Sequence, residues 1–238
     1  MSHESPFLSV GSRISRLRPL ASQAVLHIGG KSVYALIMTF FEPASEPPER
    51  FHQSAPQRPG WAGPPSDELP GVVHVGGFIY GDDRMVVALK SADVYSTGCV
   101  LEFVWTARRG GKTGSEWRDT MDQAFIPPGS PVAAASGLMV GVGYGDGRKA
   151  LASRPGPALA EGDEVEGPVL SVLGGGGAGG NDEQVHGTAR YWLWPLPLEA
   201  GTKVVVKWDG LRMPESSFNL PHERLAAAVG DVRKFWVE

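Results

Sequence analysis

The chain has 238 residues, 42% of them hydrophobic and 20% charged, enough to bury one substantial core. A net charge of −4 supplies no basic field for nucleic acid and no polybasic membrane anchor. A single cysteine, Cys99, leaves no partner for an internal disulfide and excludes a multi-cysteine zinc site.

The longest apolar run, Val33–Met38, falls far short of the ~20 residues that span a bilayer. The early Arg13, Arg16 and Arg18 precede an apolar stretch broken by Ser22, Gln23 and His27, with no clean cleavage site, so no signal peptide is read and the cytoplasm is the expected compartment. Residues 1–37 have weak amphipathic character. Beyond them Pro47, Pro48, Pro56, Pro59, Pro64 and Pro65 make a tract that prefers extended conformations and carries too little apolar surface to fold alone. Residues 1–66 are therefore expected to be a Pro-rich, largely disordered leader, a tether in preference to a ligand for a Pro-recognition module. Residues 67–238 are expected to form one domain.

Leu69-Pro70-Gly71 turns the chain into a strand at Val72–Tyr80, and Gly81-Asp82-Asp83 leads to a second at Met85–Val94. In Cys99–Ala107, Cys99, Leu101, Phe103 and Trp105 alternate with Val100, Glu102, Val104 and Thr106, the period of a strand with one apolar face inward. A basic, Gly-rich loop from Arg108 to Ser115 follows, then one or two helical turns over 115–125, ended by Pro127-Pro128-Gly129. Leu138–Tyr144 alternates again, and Asp146-Gly147 is a strong hairpin signal returning the chain through Lys149–Ser153.

Next come a polar loop from Pro155 to Gly167, a strand at Pro168–Leu173, and a run from Gly174 to Gly180, broken only by Ala178, that reads as a loop. The densest aromatic stretch, Arg190–Trp194, and the strand Lys203–Trp208 suggest a central hairpin, with Pro195 and Pro197 closing the first arm because proline cannot donate to a ladder. A short strand at Ser216–Leu220 and a helix from about His222 to Lys234 end the chain, the helix weakened by Gly230. Gly and Pro exceed a fifth of the residues, which suits short strands joined by turns. Every legible connection is hairpin-like, so the expected fold is all-β: an antiparallel two-layer β-sandwich with one short C-terminal helix.

Several of these segments carry a resemblance. Pro65–Val73 (PSDELPGVV), Val86–Gly98 (VVALKSADVYSTG), Tyr144–Lys149 (YGDGRK), Gly174–Gly180, Trp192–Pro197 (WLWPLP) and Pro214-Glu215 together resemble a family of uncharacterised actinobacterial proteins, over roughly residues 65–236, with WLWPLP the most specific element. The family has no assigned activity, so the resemblance implies no catalytic or binding residues. Its members place a short Pro-rich leader directly before the Leu-Pro-Gly strand. Residues 1–37 depart from that pattern, and the expectation that follows is a start at Met38.

Candidate chemistry is sparse. Asp82 and Asp83 are adjacent carboxylates that could hold a cation with Asp146 or Glu102, although aspartate is commoner as a turn former. Gly176–Asp182 resembles one copy of a calcium-binding GGxGxD repeat, with Asn181 in place of the sixth residue and no stacked copy to complete coordination. It lacks the Lys-Ser/Thr pair and following helix of a phosphate cradle. His74, His186 and His222 are scattered, and no Gly-x-Ser-x-Gly, His-Glu-x-x-His or Cys-x-x-Cys motif occurs. Cys99, on an apolar strand face, reads as an inert buried thiol. Trp192 and Trp194 could form an aromatic platform, against the commoner role of core filler. Arg108, Arg109 and Lys112 are too few cations for nucleic acid.

The expectation is a non-catalytic interaction or structural protein with a protein partner, without cofactor, metal, nucleic-acid or membrane binding. One alternative is a hydrolase built on loop-borne Asp82, Asp83, Asp182 and His186; another is a small-ligand or sugar binder using Trp192 and Trp194.

Overall fold

β-Branched and aromatic residues at alternate positions give most segments one dry face, and burying those faces together dictates the architecture. A computed structural model describes residues 23–28, 31–36, 59–154 and 165–236. The chain divides into two units, Met1–Ala55 and Pro56–Glu238. In the first, β1 (Gln23–Ile28) pairs antiparallel with β2 (Lys31–Leu36), in a stretch whose composition offered no clear partner.

The second unit runs β3 (Glu68–Leu69), β4 (Gly71–Gly81), β5 (Met85–Val94), β6 (Cys99–Arg108), α1 (Gly114–Ala124), α2 (Pro131–Ser136), β7 (Leu138–Gly143), β8 (Lys149–Ser153), β9 (Val169–Gly180), β10 (Gln184–Trp194), β11 (Lys203–Trp208), β12 (Met213–Asn219), α3 (His222–Ala228) and β13 (Arg233–Lys234). Nine strands form one sheet in the order β12-β11-β7-β8-β9-β10-β6-β5-β4, while β13 and β3 make a separate two-stranded ribbon. The large sheet curls until its edge strands β12 and β4 meet, where the Phe218 ring lies over Gly77. The all-β expectation holds. The two facing layers are halves of one nearly closed barrel, because sheet twist accumulated over nine strands brings the edges together.

Four local expectations change. Arg190–Trp194 and Lys203–Trp208 are not a hairpin: β10 pairs with β6 and β9, and β11 with β7 and β12. Both edges of β10 are taken, and the connection through Pro195 and Pro197 is longer than the tight turns that hold neighbouring strands together. The glycine run is the second half of β9, since its backbone supplies the ladder to β10 without needing side chains. β8 and β9 pair parallel, the exception to antiparallel pairing in the sheet. The last helix stops at Ala228, passes through a 3-10 turn at Val229–Asp231 and becomes β13. No helix among the described residues is long and apolar enough to cross a membrane.

Side chains fill the barrel. Leu101, Phe103 and Trp105 of β6 face Tyr191 and Leu193 of β10 and Val204, Val206 and Trp208 of β11, with Phe103–Tyr191 and Trp105–Trp208 meeting edge to face at 5.4 and 5.7 Å. Gly187 makes room for Trp105: a Cβ there would collide with the indole. Cys99 is fully buried in this core, where burial pushes its thiol pKa up and leaves it unreactive at neutral pH.

Candidate functional site

One end of the barrel gathers the turns that carry most of the candidate polar residues. The β4–β5 turn brings Asp82, Asp83 and Arg84; the β6–α1 loop brings Arg109 and Lys112; the 3-10 turn Asp209–Leu211 and Arg212 close the far side. They surround an open groove of about 690 Å³ whose floor includes the buried Met85, Ala107 and Thr120. A second hollow of about 540 Å³ adjoins it across Arg108–Gly110 and is bounded by the β9–β10 turn, Asp182–Gln184.

The local folding of each wall is clear. Asp82 is the keystone of its turn: it accepts the Arg84 and Met85 backbone N–H groups at 2.7 Å each and the Tyr80 hydroxyl at 2.8 Å. Burial pushes its carboxyl pKa up, but those donors outweigh it and hold the group below its ordinary value. Asp83 is exposed and 3.7 Å from Arg84 Nε, and its backbone carbonyl accepts from Arg108 Nε. On the opposite wall, Thr113 and Glu116 form a reciprocal capping box that starts α1, with Glu116 accepting the Thr113 N–H at 2.8 Å. These bonds lower the Glu116 pKa.

The cations are less committed. Arg109 Nε donates to the Lys112 carbonyl at 3.3 Å. Lys112 Nζ lies 5.7 Å from the Trp117 ring centre and has no carboxylate within ion-pair distance among the described residues. Partial burial, and then the neighbouring Arg84 charge, lower the Lys112 pKa. Arg212 is exposed, held in a left-handed backbone conformation with φ 56°. Trp117 anchors α1 to the β9–β10 turn through its Nε1, which donates to the Asn181 carbonyl at 3.2 Å.

The residues singled out from sequence are thus divided. Asp82 and Asp83 line the first hollow and Asp182 the second. His186 sits exposed on β10 beside Gly179 and lines neither. Among the described residues, no group of three His, Cys, Asp or Glu is placed to hold a metal. Trp192 is fully buried on the outer face of β10: Tyr95 meets it edge to face at 5.8 Å, and its Nε1 donates to the Gly60 carbonyl at 3.0 Å. Trp194 shares that face, half-buried beside Gly60 and Gly167. The 3-10 turn Gly60–Ala62, upstream of the expected boundary at 66, thus covers the aromatic face. Arg84 and Arg212 were not singled out from sequence; Arg84's place beside Asp82-Asp83 offered a signal, while Arg212 lies about a hundred residues from the basic loop.

Protein-family models, curated proteins and solved structures yield no match to this chain, so no family is assigned.

Proposed function

We propose that the protein is a non-catalytic binding protein whose working surface is this groove and whose partner is another protein. The observation that carries the reading is how the groove's acids are used. Both oxygens of Asp82 and the Glu116 carboxylate hold turns and helix caps, and their lowered pKa values keep them ionised, unsuited to exchanging protons near neutral pH. Long cationic side chains project around them, a pattern that suits recognition by charge and shape. The buried, inert thiol fits action in a reducing compartment, the cytoplasm.

Site-specific photo-crosslinking tests this. Gly111 is exposed with open space where a Cβ would stand, so it accepts a benzoyl-phenylalanine; Lys149, at the opposite end of β7 from the groove, serves as the control. The expected result is a discrete protein adduct in native extract from position 111 and none from 149. Adducts from 149 alone, or from neither, would overturn the reading.

A further inference from the structure

Resting on the reading of the groove as a binding surface, we propose that its ligand is a carboxylate-rich segment: an acidic stretch of the partner protein laid across the two hollows. The first hollow is lined by five cationic side chains and four carboxylates, a local excess of +1 in a chain whose net charge is −4. That count understates the imbalance. Asp82 uses both of its carboxylate oxygens, and Glu116 one of its two, within their own turns. Lys112 keeps its three donors, Arg212 its guanidinium, and Arg109 all but one of its N–H groups without acceptors among the described residues. The groove's unspent hydrogen-bonding capacity is therefore mainly of the donor kind, and its complement is an oxyanion.

The placing of the remaining acids selects among oxyanions. Asp83 and Asp119 stand at the first hollow and Asp182 and Glu183 at the second. A closely spaced phosphodiester chain would set charge against them, whereas an extended peptide can space its carboxylates to meet the cations and pass between the acids. Arg108, Arg109 and Gly110 line both hollows, so a segment that crosses this loop reaches one on each side of it. An approaching carboxylate would also relieve the repulsion that Lys112 feels from Arg84.

The probe is fluorescein-labelled hexaglutamate, titrated with the full-length protein by fluorescence anisotropy. Binding should weaken as salt rises from about 10 mM to about 150 mM, because the screening length falls from about 30 Å to about 8 Å. The double variant Lys112→Gln/Arg212→Gln, which removes two charges at exposed or half-buried positions, should weaken binding by about tenfold or more. No binding at low salt, binding unchanged in the double variant, or tighter binding of a labelled oligonucleotide of equal charge would each overturn the proposal. If the Gly111 crosslink persists undiminished in the double variant, the groove stands as the binding surface and its preference for carboxylates falls.

Discussion

Trp192 is held from several sides: Tyr95 at its edge, Gly98 at the far end of the indole, and the Gly60 carbonyl on its N–H. Truncation to alanine should cost about 3–5 kcal/mol, the range for a large buried aromatic. Trp192→Phe keeps much of the packing but leaves the Gly60 carbonyl unpaired, for a loss of about 1–3 kcal/mol. Trp194→Ala, half-buried on the same face, should cost less than Trp192→Ala. Denaturant midpoints at matched slope would rank the three; a Trp194 change costlier than the Trp192 change contradicts this assignment. Glu68 makes a pH prediction. Burial raises its carboxyl pKa, but the Ser96 N–H at 3.0 Å, the Ser96 hydroxyl at 2.7 Å and Lys234 at 3.0 Å outweigh it and hold it below the ordinary value. A depressed folded-state pKa stabilises above the unfolded-state value, about 4.3, and that contribution disappears as pH falls through the folded-state value. Wild type should therefore exceed Glu68→Gln in stability at pH 7, with the gap closing in acid below about pH 4. A gap constant with pH would show that the charge is irrelevant.

α3 lies against the start of β4, and one glycine sets how closely. A Cβ on Gly71 would collide with the Ala228 carbonyl oxygen, a backbone atom that cannot rotate away. Gly71→Ala should destabilise by about 1–3 kcal/mol, as overpacking does, whereas Gly230→Ala, with nothing near its Cβ, should stay within about 0.5 kcal/mol. Equal thermal midpoints for the two variants would refute the contact. The elements themselves were largely legible. Alternation located β6 and β7, and Asp146-Gly147 located the β7–β8 hairpin, because each signal is local. α2 escaped notice: six residues, helical through Pro131 at its start and the Ser130 hydroxyl accepting the Ala133 N–H at 3.1 Å, are too few to show a period. The strand character of Gly174–Gly180 was hidden because pairing with β10 is a property of backbone, which composition does not report. The candidate site was half legible. Asp82, Asp83 and the Arg108–Lys112 loop stood out in sequence, but Arg212 joins them only because β11 ends at the same rim.

At the scale of the molecule, the unit Pro56–Glu238 depends on a few residues before its first long strand. Gly60–Ala62 shields Trp192, so a chain beginning at Pro59 should keep an unfolding midpoint that a chain beginning at Pro64 loses, by at least the hydrogen bond to Gly60 and the exposure of the indole. Indole fluorescence should shift to the red in the shorter chain. Matching midpoints and spectra would show that the 3-10 turn is dispensable.

The nearly closed barrel has a further consequence. Where β12 meets β4 the two edges share no ladder, and what spans the gap is the Phe218 ring over Gly77, with Arg224 of α3 donating to the His74 carbonyl nearby. A cylinder with one unzipped line opens there before anywhere else, because parting the line leaves every strand pair intact. Native-state hydrogen exchange should be quickest along the facing amides of β4 and β12 and slowest in β6 and β10, which are paired on both sides. The barrel would then breathe as a clasp, with Phe218 as its catch.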